Sequence, residues 1–195
     1  MSAQLYLITP ENTDPGAFGT LLAGLVESAP VSALLVRRNE LSEADFRAMV
    51  KTACTVAQPG GCAVIVEDDA EMARECGADG VHITGSLEDA RLAAKQLKPQ
   101  MIVGAGPSPS RHLDMSLGEL EIDYLFFGSL AEPALEDARE RGGWWAETFE
   151  VPAVLHGTLD GDAAGCEFLA LGSDLWRQED PIAALRSLAE RLEAA

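Results

Sequence analysis

The chain has 195 residues, 47% of them hydrophobic, which is enough apolar material for one folded domain and excludes an intrinsically disordered chain. Its 14 Lys+Arg stand against 32 Asp+Glu, a formal net charge of −18 at pH 7. Such a surface repels phosphate backbones and anionic headgroups, so no nucleic-acid or membrane partner is expected, and a phosphorylated ligand has to be held by a local positive field.

The first apolar run, LYLIT (5–9), follows an N-terminus without a basic segment or a long apolar stretch, so no signal peptide is expected. SALLV (32–36) and CAVIV (62–66) come next. Between them, Leu41, Phe46, Met49 and Val50 fall at helical spacing, with Ser42 placed as N-cap before Asp45. DDAEMARECG then predicts a short helix with Met72 and Cys76 on one face and Gly77 as its stop. GVHI (80–83) leads to a helix that opens at Ser86, with Glu88 and Asp89 in its first turn and Lys95 and Lys98 near its end. MIVGA (101–105), YLFFG (124–128), PAVLH (152–156) and FLALG (168–172) follow. An amphipathic helix with Pro181 in its first turn closes the chain.

The eight runs are short, apolar on both sides and free of strict alternation, the pattern of buried parallel strands. Strands alternating with helices predict an α/β fold that closes as a (β/α)8 TIM barrel, one domain over residues 1–195. An open α/β sheet with fewer strands is the alternative. The chain is short for a barrel, which takes about 250 residues, so its loops must be minimal. No run approaches the roughly 18 apolar residues of a membrane span. Cys54, Cys62, Cys76 and Cys166 form no CxxC pair, so reduced thiols and a cytoplasmic location are expected. A homo-oligomer stays open.

In a barrel, function gathers at the carboxyl ends of the strands. The residues there are Arg37, Arg38 and Asn39; Glu67, Asp68 and Asp69; Thr84, Gly85 and Ser86; Gly106 to Ser110; Ser129; His156 and Gly157; and Gly172, Ser173 and Asp174. Each has a purely structural explanation. The acids suit the first turn of a helix, and Arg37 and Arg38 suit ion pairs with them. His82, inside an apolar strand, is expected as a satisfied core histidine. His156, at a strand end, is the best acid/base candidate. Of Trp144 and Trp145, one ring is expected in the core and the other over a rim or partner surface.

The block DDAEMARECGADGVHI, together with LYLIT and DYLFFG, resembles the thiamine phosphate synthase and thiazole tautomerase family, and the resemblance runs from LYLITP to GSDL. It implies a compact barrel that joins a pyrimidine diphosphate to a thiazole phosphate with release of pyrophosphate. Mg²⁺ holds the diphosphate through two aspartates from neighbouring strand ends. The first aspartate matches Asp68, with Glu67 in place of the asparagine before it, while the second falls on Ser86. Where the synthase has Gln-x-Arg-x-Lys, this chain has Leu35, Arg37 and Asn39. Gly106 takes the place of a serine, Ser129 takes the place of the tautomerase histidine, and the pyrophosphate-gripping loop after the sixth strand is missing. Gly157, Gly172 and Ser173 match a phosphate floor.

His156 is the catalytic candidate that its strand-end position suggests; the resemblance adds Asp68, and Asp68 with Glu67 for Mg²⁺. It implies Arg37, Asn39, Gly106, Ser129, Gly157, Gly172 and Ser173 for substrate. The expected partner is a phosphorylated heteroaromatic small molecule bound by a barrel whose synthase and tautomerase sets are both incomplete. An active Mg²⁺-dependent synthase with rearranged ligands and a non-enzymatic binding or partner subunit are the alternatives.

Overall fold

Each apolar run folds as a strand whose ends lie within one residue of the expected span. The computed structural model describes residues 2–11 and 15–194. Its strands are β1 (Gln4–Ile8), β2 (Val31–Val36), β3 (Ala63–Glu67), β4 (Gly80–Ile83), β5 (Ile102–Ala105), β6 (Tyr124–Phe127), β7 (Ala153–His156) and β8 (Phe168–Leu171). They pair in parallel and in chain order, and β8 closes on β1. The closed barrel replaces the open-sheet alternative.

Alternate residues sort into two apolar layers. Tyr6, Ile8, Leu35, Ile65, Phe126 and Val154 share the cluster along the barrel axis. Leu5, Leu7, Leu34, Val64, Val66 and Leu125 join the helix-facing core. Both faces of every strand are thus buried, which is why the runs lack alternation. Each large side chain so buried gains about 1.5–3 kcal/mol over exposure.

The helices are α1 (Pro15–Ser28), α2 (Glu43–Ala57), α3 (Ala70–Cys76), α4 (Leu87–Leu97), α5 (Arg111–Gly118), α6 (Glu136–Thr148), α7 (Ser173–Trp176) and α8 (Pro181–Glu193). Ser42 caps α2 through the Asp45 amide, and Ser86 forms a capping box with Asp89 at the start of α4. Gly77 ends α3 at φ 75°, a left-handed position that suits glycine. Strict alternation breaks once. Residues 157–167 join β7 to β8 without a helix, since GTLDGDAAGCE carries turn formers and no helical apolar stripe.

Asp114 of α5 is fully buried and receives Arg141 Nη1 of α6 at 2.8 Å and the Ser108 hydroxyl, while Arg141 Nη2 donates to the Ser108 carbonyl at 2.9 Å. This brace sits behind the loops after β5 and β6. Trp145 is the core ring, stacked on Phe149 with centroids 4.0 Å apart. Trp144 is half-buried under the Arg111 guanidinium. All four cysteines are free, and burial pushes the thiols of Cys62 and Cys166 up to about 12, which leaves them unreactive. Among the described residues, no helix is long and apolar enough to cross a membrane.

Candidate functional site

Register decides which side chains meet at the carboxyl end of the barrel. Val36 stands beside Val66, so Arg37 and Glu67 come next, side by side. Arg37 Nε donates to Glu67 Oε1 at 3.3 Å, and the Arg38 amide donates to Glu67 Oε2 at 3.2 Å. Arg37 Nη1 reaches across the mouth to the Leu130 carbonyl at 3.2 Å. The two charged side chains are each 15% exposed, so solvent screens them less than a surface pair. Asn39 adopts φ 46°, which asparagine tolerates, and its amide donates to the Pro10 carbonyl at 3.3 Å, tying the ends of β1 and β2 together.

The run Glu67-Asp68-Asp69 splits into three tasks. Glu67 completes β3 and holds Arg37. Asp69 is the cap of α3, accepting the Met72 amide at 2.8 Å. Asp68, at φ 49°, spans to the end of β4, where its carboxylate accepts the Thr84 amide at 2.8 Å and the Thr84 hydroxyl. A left-handed aspartate costs about 1–2 kcal/mol, which these bonds offset. Ser86, at the position the resemblance assigns to a second metal carboxylate, donates to Asp89 Oδ2 at 2.6 Å inside its capping box.

Mg²⁺ requires near-octahedral oxygen donors. Here Arg37 and Arg38 engage both Glu67 oxygens, and Thr84 engages both of Asp68. No three His, Cys, Asp or Glu side chains stand together in a metal-holding arrangement among the described residues. As folded, the donor set does not fit the ion.

His82 lies in the axis of the barrel, with Nε2 2.9 Å from the Gly106 carbonyl and Nδ1 3.0 Å from the Tyr124 hydroxyl. A carbonyl only accepts, so Nε2 carries the proton and Nδ1 accepts from Tyr124. Burial pushes the His82 pKa down to about 4, and the ring acts as a core bracket. Gly106, expected among the substrate-binding residues, serves the barrel as well. Its amide donates to the Ile83 carbonyl at 3.0 Å, and at φ 124° a Cβ would lie 2.5 Å from the Phe126 carbonyl oxygen.

After β6 the chain turns into the mouth. Leu130 is 8% exposed and joins the axial cluster of Ile8, Leu35 and Phe126. The Ser129 carbonyl accepts His156 Nδ1 at 2.7 Å, its hydroxyl accepts the Ala131 amide at 3.0 Å, and the Ala134 amide donates to the His156 carbonyl at 2.7 Å.

His156 is fully buried, and burial pushes its pKa down, so the ring is neutral. Donation from Nδ1 leaves Nε2 as an acceptor, and that atom has no partner. Gly172 borders it, since a Cβ there would lie 2.8 Å from Nε2. Asp174 Oδ1 is a second buried acceptor without a partner. Burial pushes the Asp174 carboxyl up, with the polar backbone around it opposing the shift only in part.

The expected phosphate floor is smaller than the resemblance implies. The Gly157 amide donates to the Ala170 carbonyl at 3.0 Å, and a Cβ would lie 2.4 Å from Leu169 Cδ1. It is a strand-pairing and packing residue with no N–H to offer a phosphate. Gly172 and Ser173 remain at the mouth, but Asp174 directly follows them and sets a buried carboxylate oxygen without a partner beside them. Leu130 and Thr84 are the site residues that sequence reasoning did not assign a role. The only signal for Leu130 was an apolar residue directly after Gly128-Ser129.

The family profile described as "Thiamine monophosphate synthase" matches residues 5–165. A thiamine-phosphate synthase of Rhodospirillum centenum is 32% identical over 89% of this chain and 89% of its own length. One of Hyphomonas neptunium is 33% identical over 94% and 91%. Among solved structures, a thiamine phosphate pyrophosphorylase from Pyrococcus furiosus superposes with a TM-score of 0.78 at 23% identity, covering 98% of this chain and 96% of that one. The family profile and sequence similarity over most of the chain place it plainly: the chain belongs to the thiamine monophosphate synthase family.

Proposed function

We propose that the barrel mouth binds a phosphorylated heteroaromatic small molecule without the two-carboxylate magnesium clamp, and that neither the synthase nor the tautomerase set is complete. The observation that carries this reading is the pair of buried acceptors, His156 Nε2 and Asp174 Oδ1, bordered by the bare Gly172. A ring N–H or an exocyclic amine supplies the donors that such acceptors demand. Phe126, edge-on to His156, offers the apolar face. Arg37 is the cation that turns to the phosphate once it leaves the Leu130 carbonyl, with Ser129 and Ser173, just past the ends of β6 and β8, as hydroxyl donors. Neutral His156 is the group placed to accept a proton from the bound ring. Four unpaired thiols and a phosphorylated metabolite fit a cytoplasmic protein.

The relatives named thiamine-phosphate synthase favour a second reading, in which Mg²⁺-dependent coupling persists on Asp68 and Glu67. It requires Glu67 to release Arg37. Calorimetric titration with thiamine phosphate, with and without Mg²⁺, separates the two. Micromolar binding, about 8 kcal/mol, that ignores Mg²⁺ supports the first reading. Binding or turnover only with Mg²⁺ supports the second. No heat in either buffer rejects both and leaves the barrel as a scaffold.

Gly172→Ala is the local test. The new methyl would lie 2.8 Å from His156 Nε2 and crowd it. Affinity should fall about tenfold, the equivalent of about 1.4 kcal/mol, with the unfolding midpoint retained. Unchanged affinity would remove the β8 turn and His156 from the site.

A further inference from the structure

The opposite, N-terminal end of the barrel holds a cavity of about 500 Å³, within the roughly 300–1,000 Å³ range of small-molecule sites. Ala33, Ala63, Ile65, Ile102, Val154 and Phe168 are among its walls. A filled barrel carries bulky branched side chains in this layer. Here Ala33, Ala63 and the backbone of Gly61 leave the space open. Leu35, His82 and Phe126, each two residues further along from a wall residue or its neighbour in register, lie between this cavity and the mouth.

The inner end of the cavity is polar. The Tyr6 and Tyr124 hydroxyls are 2.9 Å apart, and both residues line it. The proton order follows from the other end of the chain of bonds. The Gly106 carbonyl takes the His82 Nε2 proton, so Nδ1 takes the Tyr124 proton and Tyr124 in turn takes that of Tyr6. Tyr6 oxygen therefore ends the series with lone pairs that no other group engages among the described residues. Among the described residues the rim offers no free charge: Asp123 accepts the Val103 amide at 2.7 Å and Lys98 Nζ at 2.5 Å. Gln4 Oε1 accepts the Ser32 hydroxyl at 2.7 Å.

We propose that this N-terminal cavity is a second binding site, taking a neutral, mostly apolar ring compound whose single hydrogen-bond donor seats on the Tyr6 oxygen. Charged ligands lose their hydration without gaining a counter-ion there, and the net charge of −18 disfavours anions further. The site is independent of the mouth and of whatever chemistry the mouth retains.

Indole and benzofuran are the probes, since they share a shape and only indole carries an N–H. Each is titrated into the isotope-labelled full chain while backbone amide shifts are followed by NMR. Indole should saturate with the shifts centred on Ala33, Ala63 and Ile102, and benzofuran should bind about 2- to 10-fold more weakly. Ala63→Leu should remove binding of both by filling the cavity. Shifts centred on Arg37, Thr84 and Gly172, or no saturation by about 5 mM, would overturn the site. Equal affinity for the two probes would overturn the role of Tyr6. If the leucine variant fails to fold, the wild-type shift map decides alone.

Discussion

Replacing Leu130 with serine is expected to tighten thiamine phosphate binding at the mouth by about 10- to 30-fold. Leu130 is buried against the axial cluster, at the place where a ligand entering the carboxyl end must sit. A buried leucine gains about 1.5–3 kcal/mol over an exposed one, so an open arrangement, with Leu130 swung out to admit a ligand, is disfavoured by that amount against the closed arrangement seen here. Serine forfeits about 2 kcal/mol of it, so the closed form loses about 30-fold in population relative to the open one. While the closed form still dominates, the apparent dissociation constant falls by the same factor. The bonds from Arg37 to the residue-130 carbonyl and from Ala134 to His156 survive the change, so the segment stays partly held. The cost in global stability should stay within about 2 kcal/mol, read by urea unfolding beside the calorimetry. Equal or weaker affinity would make Leu130 a wall of the site and sink its role as a plug.

Three internal groups meet at the mouth. Leu130 occupies the axis, Glu67 holds the arginine that faces it, and Asp174 brings a buried carboxylate oxygen without a partner to the β8 turn. A ligand can displace Leu130 or the Glu67–Arg37 pair only at the expense of contacts that these residues make in this structure. At 23% identity the Pyrococcus furiosus structure superposes over nearly the whole chain, which speaks for the fold alone. A barrel's function is set by the residues at its strand ends, which a shared fold does not determine.

The strands were legible because burial on both faces leaves a mark on every residue of the run. The caps were legible because they are local: Ser42 lies three residues from Asp45, and Ser86 three from Asp89. The acid run was only partly legible. Three consecutive carboxylates look alike in sequence. Yet the pleat of β3 turns Glu67 toward Arg37, a positive φ sends Asp68 to Thr84, and the helix takes Asp69. The Gly157 amide was misjudged because a strand end is settled by the partner strand. Here β8 claims the N–H through Ala170. Arg141 and Asp114 lie on different helices, 27 residues apart, and leave no local pattern at all.

Acid should weaken this protein chiefly through His82. Its folded pKa is pushed from 6.5 to about 4 by burial, against the opposing pull of the Gly106 carbonyl and Asp68. The folded state therefore keeps the ring neutral where the unfolded chain protonates it. The stabilising contribution is complete above about pH 6.5, shrinks as pH falls, and is gone near pH 4, a loss of about 3 kcal/mol. His156, shifted the same way by burial, adds to the loss, while Asp174, shifted upward, offsets part of it. The measurement is urea unfolding at constant ionic strength across this range, for the wild type and His82→Gln. The glutamine variant should start less stable, because Tyr124 and Gly106 lose their shared ring, yet show a distinctly flatter profile. Parallel profiles for the two proteins would mean that His82 does not titrate with unfolding. The proton order through Tyr6, Tyr124 and Gly106, on which the polar end of the lower cavity depends, would then have to be redrawn.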